Sequence, residues 1–166
     1  SDVGGVMLHL KSADAVSEAY SAMISKIKNN VPNARITGVY IEKMSNPGSK
    51  EVIIGLTRDP QFGPMIMFGM GGIFVELLKD VNFALAPVSD SEALEMIKQI
   101  KTYPLLSGYR GQKPVAIEAI ADTIVRISQL AIDFPEIKEM DINPFMAFPG
   151  AAESTAVDGR MTLIAQ

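Results

Sequence analysis

The sequence predicts an α+β fold in which a mixed or antiparallel sheet is flanked by helices. Three observations lead there. Short apolar runs with strand chemistry follow one another through turn-rich links, and only three stretches carry helix-capping or helical-periodicity signals. The strand-like runs are mostly adjacent, whereas a parallel sheet needs a helix between each pair. A length of 166 residues allows one domain with a real core.

Taken in order, the Gly4-Gly5 pair leads into an apolar run, Val6 to Leu10, suited to a strand. A first helix follows: Ser12 can cap it, Ala15, Ala19, Met23 and Ile27 fall on one face, and Asn29-Asn30 with Pro32 end it. Strands are expected at 36–41 and 51–57, joined through the turn-rich Met44–Lys50 segment, with further short strands at 65–68 and 82–88. Ser89 and Glu92 stand in capping-box spacing at the head of a second helix running to about Lys101. Pro114 suits the first turn of a third helix, 115–130, which "DFPE" breaks. Closing strands are expected at 137–143, at 145–148 with 154–157, and at 161–164.

Composition narrows the function. The chain has 15 basic and 19 acidic residues, a net charge of −4, which argues against a surface built to coat nucleic acid. With no cysteine, there is no disulfide scaffold, thiolate metal site or cysteine nucleophile. This fits a cytoplasmic setting. The uncharged stretch Pro60 to Phe74 lies in a run that ends at Glu76, shorter than the roughly 20 residues a membrane helix needs, and glycines and prolines interrupt it. His9, the single histidine, lies between Leu8 and Leu10 and reads as structural rather than catalytic.

The segment "KEMDINPF" places Glu139, Asp141 and Asn143 at alternate positions of a strand, hence on one face, with Pro144 as its stop. If "PGAA" forms the tip of a hairpin, pairing Phe148 with Glu153 sets Asn143 opposite Asp158 and Asp141 opposite Arg160. Opposite residues have Cβ atoms about 5 Å apart, close enough for two oxygen side chains to share an ion. Mg²⁺ takes oxygen ligands at about 2.1 Å and fills its shell with water and phosphate oxygens. A plain solvated hairpin is the other reading, because Asp158-Gly159 is a common turn pair.

Two glycine-rich stretches stand out. Arg58 to Asp80 combines two prolines and four glycines with apolar residues, a composition that lets backbone amides approach an anion or simply makes tight turns against a sheet. It has neither Walker nor dinucleotide-fingerprint spacing. In "LLSGYRGQKP", Gly108 and Gly111 bracket Arg110, whose guanidinium suits either a phosphate or a structural ion pair.

Together, "SDVGGVMLHLK", "GVYIEKM", "KEVIIGLTRDPQFGPMIMFGMGGIFVELLKDV", "LLSGYRGQKP", "EMDINPF" and "AVDGRM" resemble, in order and nearly end to end, the nucleotide-binding ATP-grasp subunit or domain of ADP-forming acyl-CoA synthetases, relatives of succinyl-CoA synthetase. The resemblance implies a C-terminal ATP-grasp lobe and the reaction acyl-CoA + ADP + phosphate ⇌ carboxylic acid + CoA + ATP. This proceeds by way of an acyl phosphate and a phosphohistidine, with ATP/ADP and Mg²⁺ as cofactors. It makes Asn143 and Asp158 the Mg²⁺ ligands, with Asp141 beside them. Glu42, Lys43 and Met44 become the hinge edging the adenine, Glu51 an acidic neighbour of the nucleotide, and Gly4 and Gly5 the end of a loop over the phosphates. Gly71, Gly72, Arg58 and Arg110 become cleft residues, the two arginines as catalytic cations. The implied partner is the CoA-binding, acyl-transferring subunit or domain of the same synthetase, within an oligomer and without nucleic acid or membrane.

Two departures accompany it. Ala84 in "FALAP" stands where the family usually has Arg, and a His-Lys pair usually directly precedes the position of Ser1. On that pattern residues 1–166 are expected to be a fragment of a single ATP-grasp domain, inactive alone, without the upstream lobe and the relay histidine. Two rival expectations are a non-catalytic regulatory domain of a protein lysine acetyltransferase and an assembly module using "MIMFGMGGIF" as a contact. The acyl group is not specified by the sequence.

Overall fold

The computed structural model describes residues 4–72 and 79–164 and divides the chain into two compact units, residues 1–47 and 48–166. In the first, helix α1 spans Ala13–Asn30, with the Ser12 hydroxyl accepting from the Ala15 N–H at 3.1 Å. Ala15, Ala19, Met23 and Ile27 form its less exposed face, as the periodicity predicts. The strands expected at 6–10 and 36–41 do not form. An extended segment becomes a strand only by pairing, and no described segment pairs with either. His9 also adopts φ 62°, which breaks extended alternation, so it is an exposed bend residue rather than a packed strand histidine.

The second unit holds a six-stranded, wholly antiparallel sheet. Its strands are β1 (Lys50–Asp59), β2 (Gly63–Met70), β3 (Val81–Leu85), β4 (Ile137–Ala147), β5 (Thr155–Ala156) and β6 (Gly159–Leu163). The order is β3-β2-β1-β4, and β5 and β6 share the far edge of β4. The β1–β2 hairpin turns where Asp59 Oδ1 accepts from the N–H groups of Gln61 and Phe62 at 2.8 and 3.0 Å.

Among the described residues, three helices accompany the sheet: α2 (Asp90–Lys98), the short α3 (Tyr103–Leu106) and α4 (Ile117–Asp133). α2 carries the predicted capping box between Ser89 and Glu92 but stops three residues short of Lys101. α4 starts at Ile117, so Pro114 precedes the helix instead of opening it. α2 and α4 pack on one face of the sheet against Val52, Ile54, Leu56, Ile66 and Phe68, all buried. Full burial of each such side chain stabilises by roughly 1.5–3 kcal/mol. Two polar groups secure this side. The buried Ser128 hydroxyl accepts from the Val88 N–H at 2.6 Å. The buried Asp80 carboxylate accepts from the Lys101 and Thr102 N–H groups at 2.8 and 2.7 Å and from the Thr102 hydroxyl. Burial alone pushes the Asp80 carboxyl up, but these hydrogen bonds, Thr102's first, outweigh it and hold the group below its ordinary value.

β4 runs through Pro144 instead of stopping at it. The β1–β4 register shifts between Val52 and Ile54, so Asn143 and Pro144 fall in a bulge, one of the few places within a sheet that tolerates proline.

Candidate functional site

The strands present two faces. Alternation sends Val52, Ile54 and Leu56 toward the helices and Gly55 and Thr57 to the opposite side, where Gly55 pairs with Asp141 and Thr57 with Glu139. On this side a shallow cleft of about 200 Å³ is lined by Gly55, Thr57, Met67, Phe83, Glu139 and Asp141. A Cβ on Gly55 would lie 3.2 Å from the Met67 terminal methyl, so the glycine keeps the cleft floor open.

The far edge of β4 reproduces the predicted register. Asp141 pairs with Arg160, Glu139 with Thr162 and Ile142 with Gly159, and the Asn143 N–H donates to the Asp158 carbonyl at 3.0 Å. Asn143 therefore stands across the ladder from Asp158, with Asp141 two residues back along β4. The expected tip differs: instead of Phe148 facing Glu153, residues 151–153 form a 3₁₀ turn and the Ser154 hydroxyl accepts from the Phe148 N–H at 3.0 Å. The turn absorbs the change, and the pairing below it is unaffected.

Among the described residues no three His, Cys, Asp or Glu side chains cluster around a possible metal position. The hairpin offers two carboxylates and an amide, all oxygen donors. Such a set fits a hard cation that keeps several water or phosphate ligands, not a fully protein-caged one.

A second group forms where β1 begins. Glu51 pairs with Met146, just past the bulge, and its carbonyl accepts from the Gly71 N–H at 2.8 Å. A Cβ on Gly71 would sit 3.1 Å from Glu51 backbone and side-chain carbon atoms. Gly72 has φ 61° and lies beside the Glu51 carboxylate. Glu51, Gly71 and Gly72, which the sequence marks separately, thus meet in space. The rest of the "GMGGIFVE" block, residues 73–78, lies outside the described residues.

Arg110 occupies the tip of the loop between α3 and α4, with φ 51° and its guanidinium carbon 5.3 Å from the centre of the Tyr109 ring. Arg58 donates to three backbone carbonyls. Its Nε donates to the Ile137 carbonyl at 2.6 Å, and Nη2 donates to the carbonyls of Ala131 and Phe134 at 2.6 and 3.1 Å. It closes the C-terminus of α4, where carbonyls lack helical partners and a cation is favoured, and ties that end to the first residue of β4. These bonds engage Nε and Nη2 of the guanidinium in structure.

In the first unit, Glu42, Lys43 and Met44 lie exposed in an unpaired stretch. Gly4 (φ 78°) runs so close to α1 that a Cβ would fall 2.6 Å from the Lys26 side chain. Ala84, at the departure from the family pattern, faces the helix-covered side opposite Ile66.

This arrangement, an antiparallel sheet with oxygen donors on a terminal hairpin, is that of an ATP-grasp domain, and the model of that family matches residues 1–163. The β subunit of an ADP-forming acetate–CoA ligase from Pyrococcus furiosus is 52% identical over 98% of this chain and 69% of its own length. An ADP-forming acetate–CoA ligase from Archaeoglobus fulgidus is 50% identical over 98% of this chain, which spans 23% of that protein. Among solved structures, an acetyl-coenzyme A synthetase of Ca. Korarchaeum cryptofilum in complex with coenzyme A and Ca-AMPCP superposes with a TM-score of 0.92 at 49% identity, covering 98% of this chain and 70% of that one. Another structure of that enzyme, with coenzyme A and Mg-AMPPCP and with its phosphohistidine segment pointing towards the nucleotide binding site, gives 0.83 at 45% identity, over 98% and 70% of the two chains. The chain belongs to the ATP-grasp family, within the β subunits and corresponding domains of ADP-forming acyl-CoA synthetases. No described helix is long and apolar enough to cross a membrane.

Proposed function

We propose that this chain is the nucleotide- and magnesium-handling part of an ADP-forming acyl-CoA synthetase, working in the cytoplasm with a CoA-binding, acyl-transferring subunit or domain. The complete enzyme converts acyl-CoA, ADP and phosphate reversibly into acid, CoA and ATP. The observation that supports the reading is the hairpin register, in which the Asn143 N–H donates to the Asp158 carbonyl and Asp141 pairs with Arg160. These three would hold Mg²⁺, which when bound neutralises phosphate charge during phosphoryl transfer. Glu51 with Gly71 and Gly72 would border the nucleotide, and Arg110 would meet a phosphate. Glu42 to Met44 would edge the adenine and Gly4-Gly5 the phosphates, as in the family pattern. Arg58, whose Nε and Nη2 donate to backbone carbonyls, is left out of this reading.

The test is Asp158→Ala in the full-length protein with its partner. Formation of ATP from acyl-CoA, ADP and phosphate should drop at least about 100-fold, the scale on which losing one well-placed charge-stabilising group is felt. The melting temperature should not move, because Asp158 is exposed. Undiminished ATP formation would remove the metal assignment.

A further inference from the structure

We propose that Lys50 and Gln112 are positioning residues for Arg110, a role that rests on reading Arg110 as the phosphate-facing cation. The loop from Ser107 to Pro114 is fixed at its base: the Val115 N–H donates to the Leu106 carbonyl at 2.9 Å and the Ala116 N–H to the Phe148 carbonyl at 2.7 Å. Its neck is narrow, since a Cβ on Gly108 would lie 2.8 Å from the Gln112 carbonyl. Between base and tip, Gly108, Arg110 and Gly111 all have φ between 51° and 100°. For Arg110 that conformation is costly and persists only if its surroundings impose it. The stack on Tyr109 orients the guanidinium relative to the loop but not the loop relative to the sheet.

Lys50 supplies that second constraint. Its ammonium donates to the Gln112 side-chain oxygen at 2.6 Å. Lys50 is the first residue of β1, pairs with Ala147 and directly precedes Glu51, which holds the Gly71-Gly72 turn. One short, charge-assisted bond therefore references the Arg110 loop to the strand that already organises the other nucleotide-facing residues. An amide suits this position, because its oxygen accepts from the lysine without introducing an anion that would compete with phosphate for Arg110.

The experiment uses the full-length protein with its partner, and reads kcat, the KM for ADP and thermal stability. Arg110→Ala should lose about 100-fold in kcat/KM. Lys50→Met and Gln112→Ala should each lose about five-fold, the scale of one hydrogen bond, with unchanged melting temperatures. Their double variant should be no worse than either single one, neither should add to Arg110→Ala, and Lys50→Arg should restore activity. Additive losses, losses that track melting temperature, or no loss at Lys50→Met while Arg110→Ala is crippled would overturn the positioning role alone. An unaffected Arg110→Ala would instead overturn the assignment of Arg110, and the inference with it.

Discussion

The two faces of the sheet are built from the same strands and obey opposite rules. Toward α2 and α4 point Val52, Ile54, Leu56, Ile66 and Phe68, large apolar side chains with almost no solvent access. On the reverse, the intervening positions are Gly55, Thr57, Glu139 and Asp141, around a cleft. Ile54 and Gly55 are neighbours in sequence, yet one belongs to the core and the other to the cleft floor. Period-two alternation lets one strand be stable on one side and chemically equipped on the other, with little interference between the two roles.

That separation can be attacked from either side. Ile54→Ala should have the largest effect, about 3–4 kcal/mol of stability lost as a lowered urea midpoint, since the fully buried side chain leaves a cavity. Nucleotide KM should stay unchanged while the protein remains folded. Asp80→Asn, at the helix side of the sheet edge, should cost about 2 kcal/mol at neutral pH by weakening three hydrogen bonds to a carboxylate. Because its folded-state pKa is depressed, the carboxylate's stabilisation is fully present above the ordinary value of 3.8 and fades as pH falls through the lower folded value. Stability measured against pH should therefore have a shallower acid limb in the variant.

On the cleft side, Gly55→Leu should raise the nucleotide KM about ten-fold while costing about 1–3 kcal/mol, because Gly55 is buried and its first carbon would meet the Met67 terminal methyl at 3.2 Å, the Met67 Cβ at 3.6 Å and the Met140 carbonyl oxygen at 3.7 Å. A large stability loss there, with KM unmoved, would show that the faces are not independent. The smallest effect is expected of Gly72→Ala, about 1 kcal/mol by urea unfolding, since alanine is strained at φ 61°.

How much of this was legible in the sequence differed by region for physical reasons. The register of the terminal hairpin could be worked out because an antiparallel ladder keeps one pairing phase along its length, and the 3₁₀ tip preserves the phase that the expected turn would have set. Asn143 opposite Asp158 followed directly. Pro144 misled because a bulge spares it a ladder hydrogen bond, and a bulge has no sequence mark as plain as a turn's. The apolar runs at 6–10 and 36–41 resemble the sheet strands in composition, but pairing depends on a partner that composition does not reveal. Arg58 could not be read either. Its acceptors are backbone carbonyls 73 to 79 positions away, and a backbone carbonyl looks the same in every residue.

The ladder between β4 and β6 has a corollary for chain length. Between residues 149 and 154 the connection already departs from a tight hairpin, so extra residues inserted there have somewhere to go. A single residue gained or lost between 156 and 158 has no such outlet: it moves Asp158 out of line with Asn143 and turns every side chain of β6 to the other face of the sheet. Homologues with longer tips are thus compatible with the same chemistry, whereas a one-residue indel two steps further on is not.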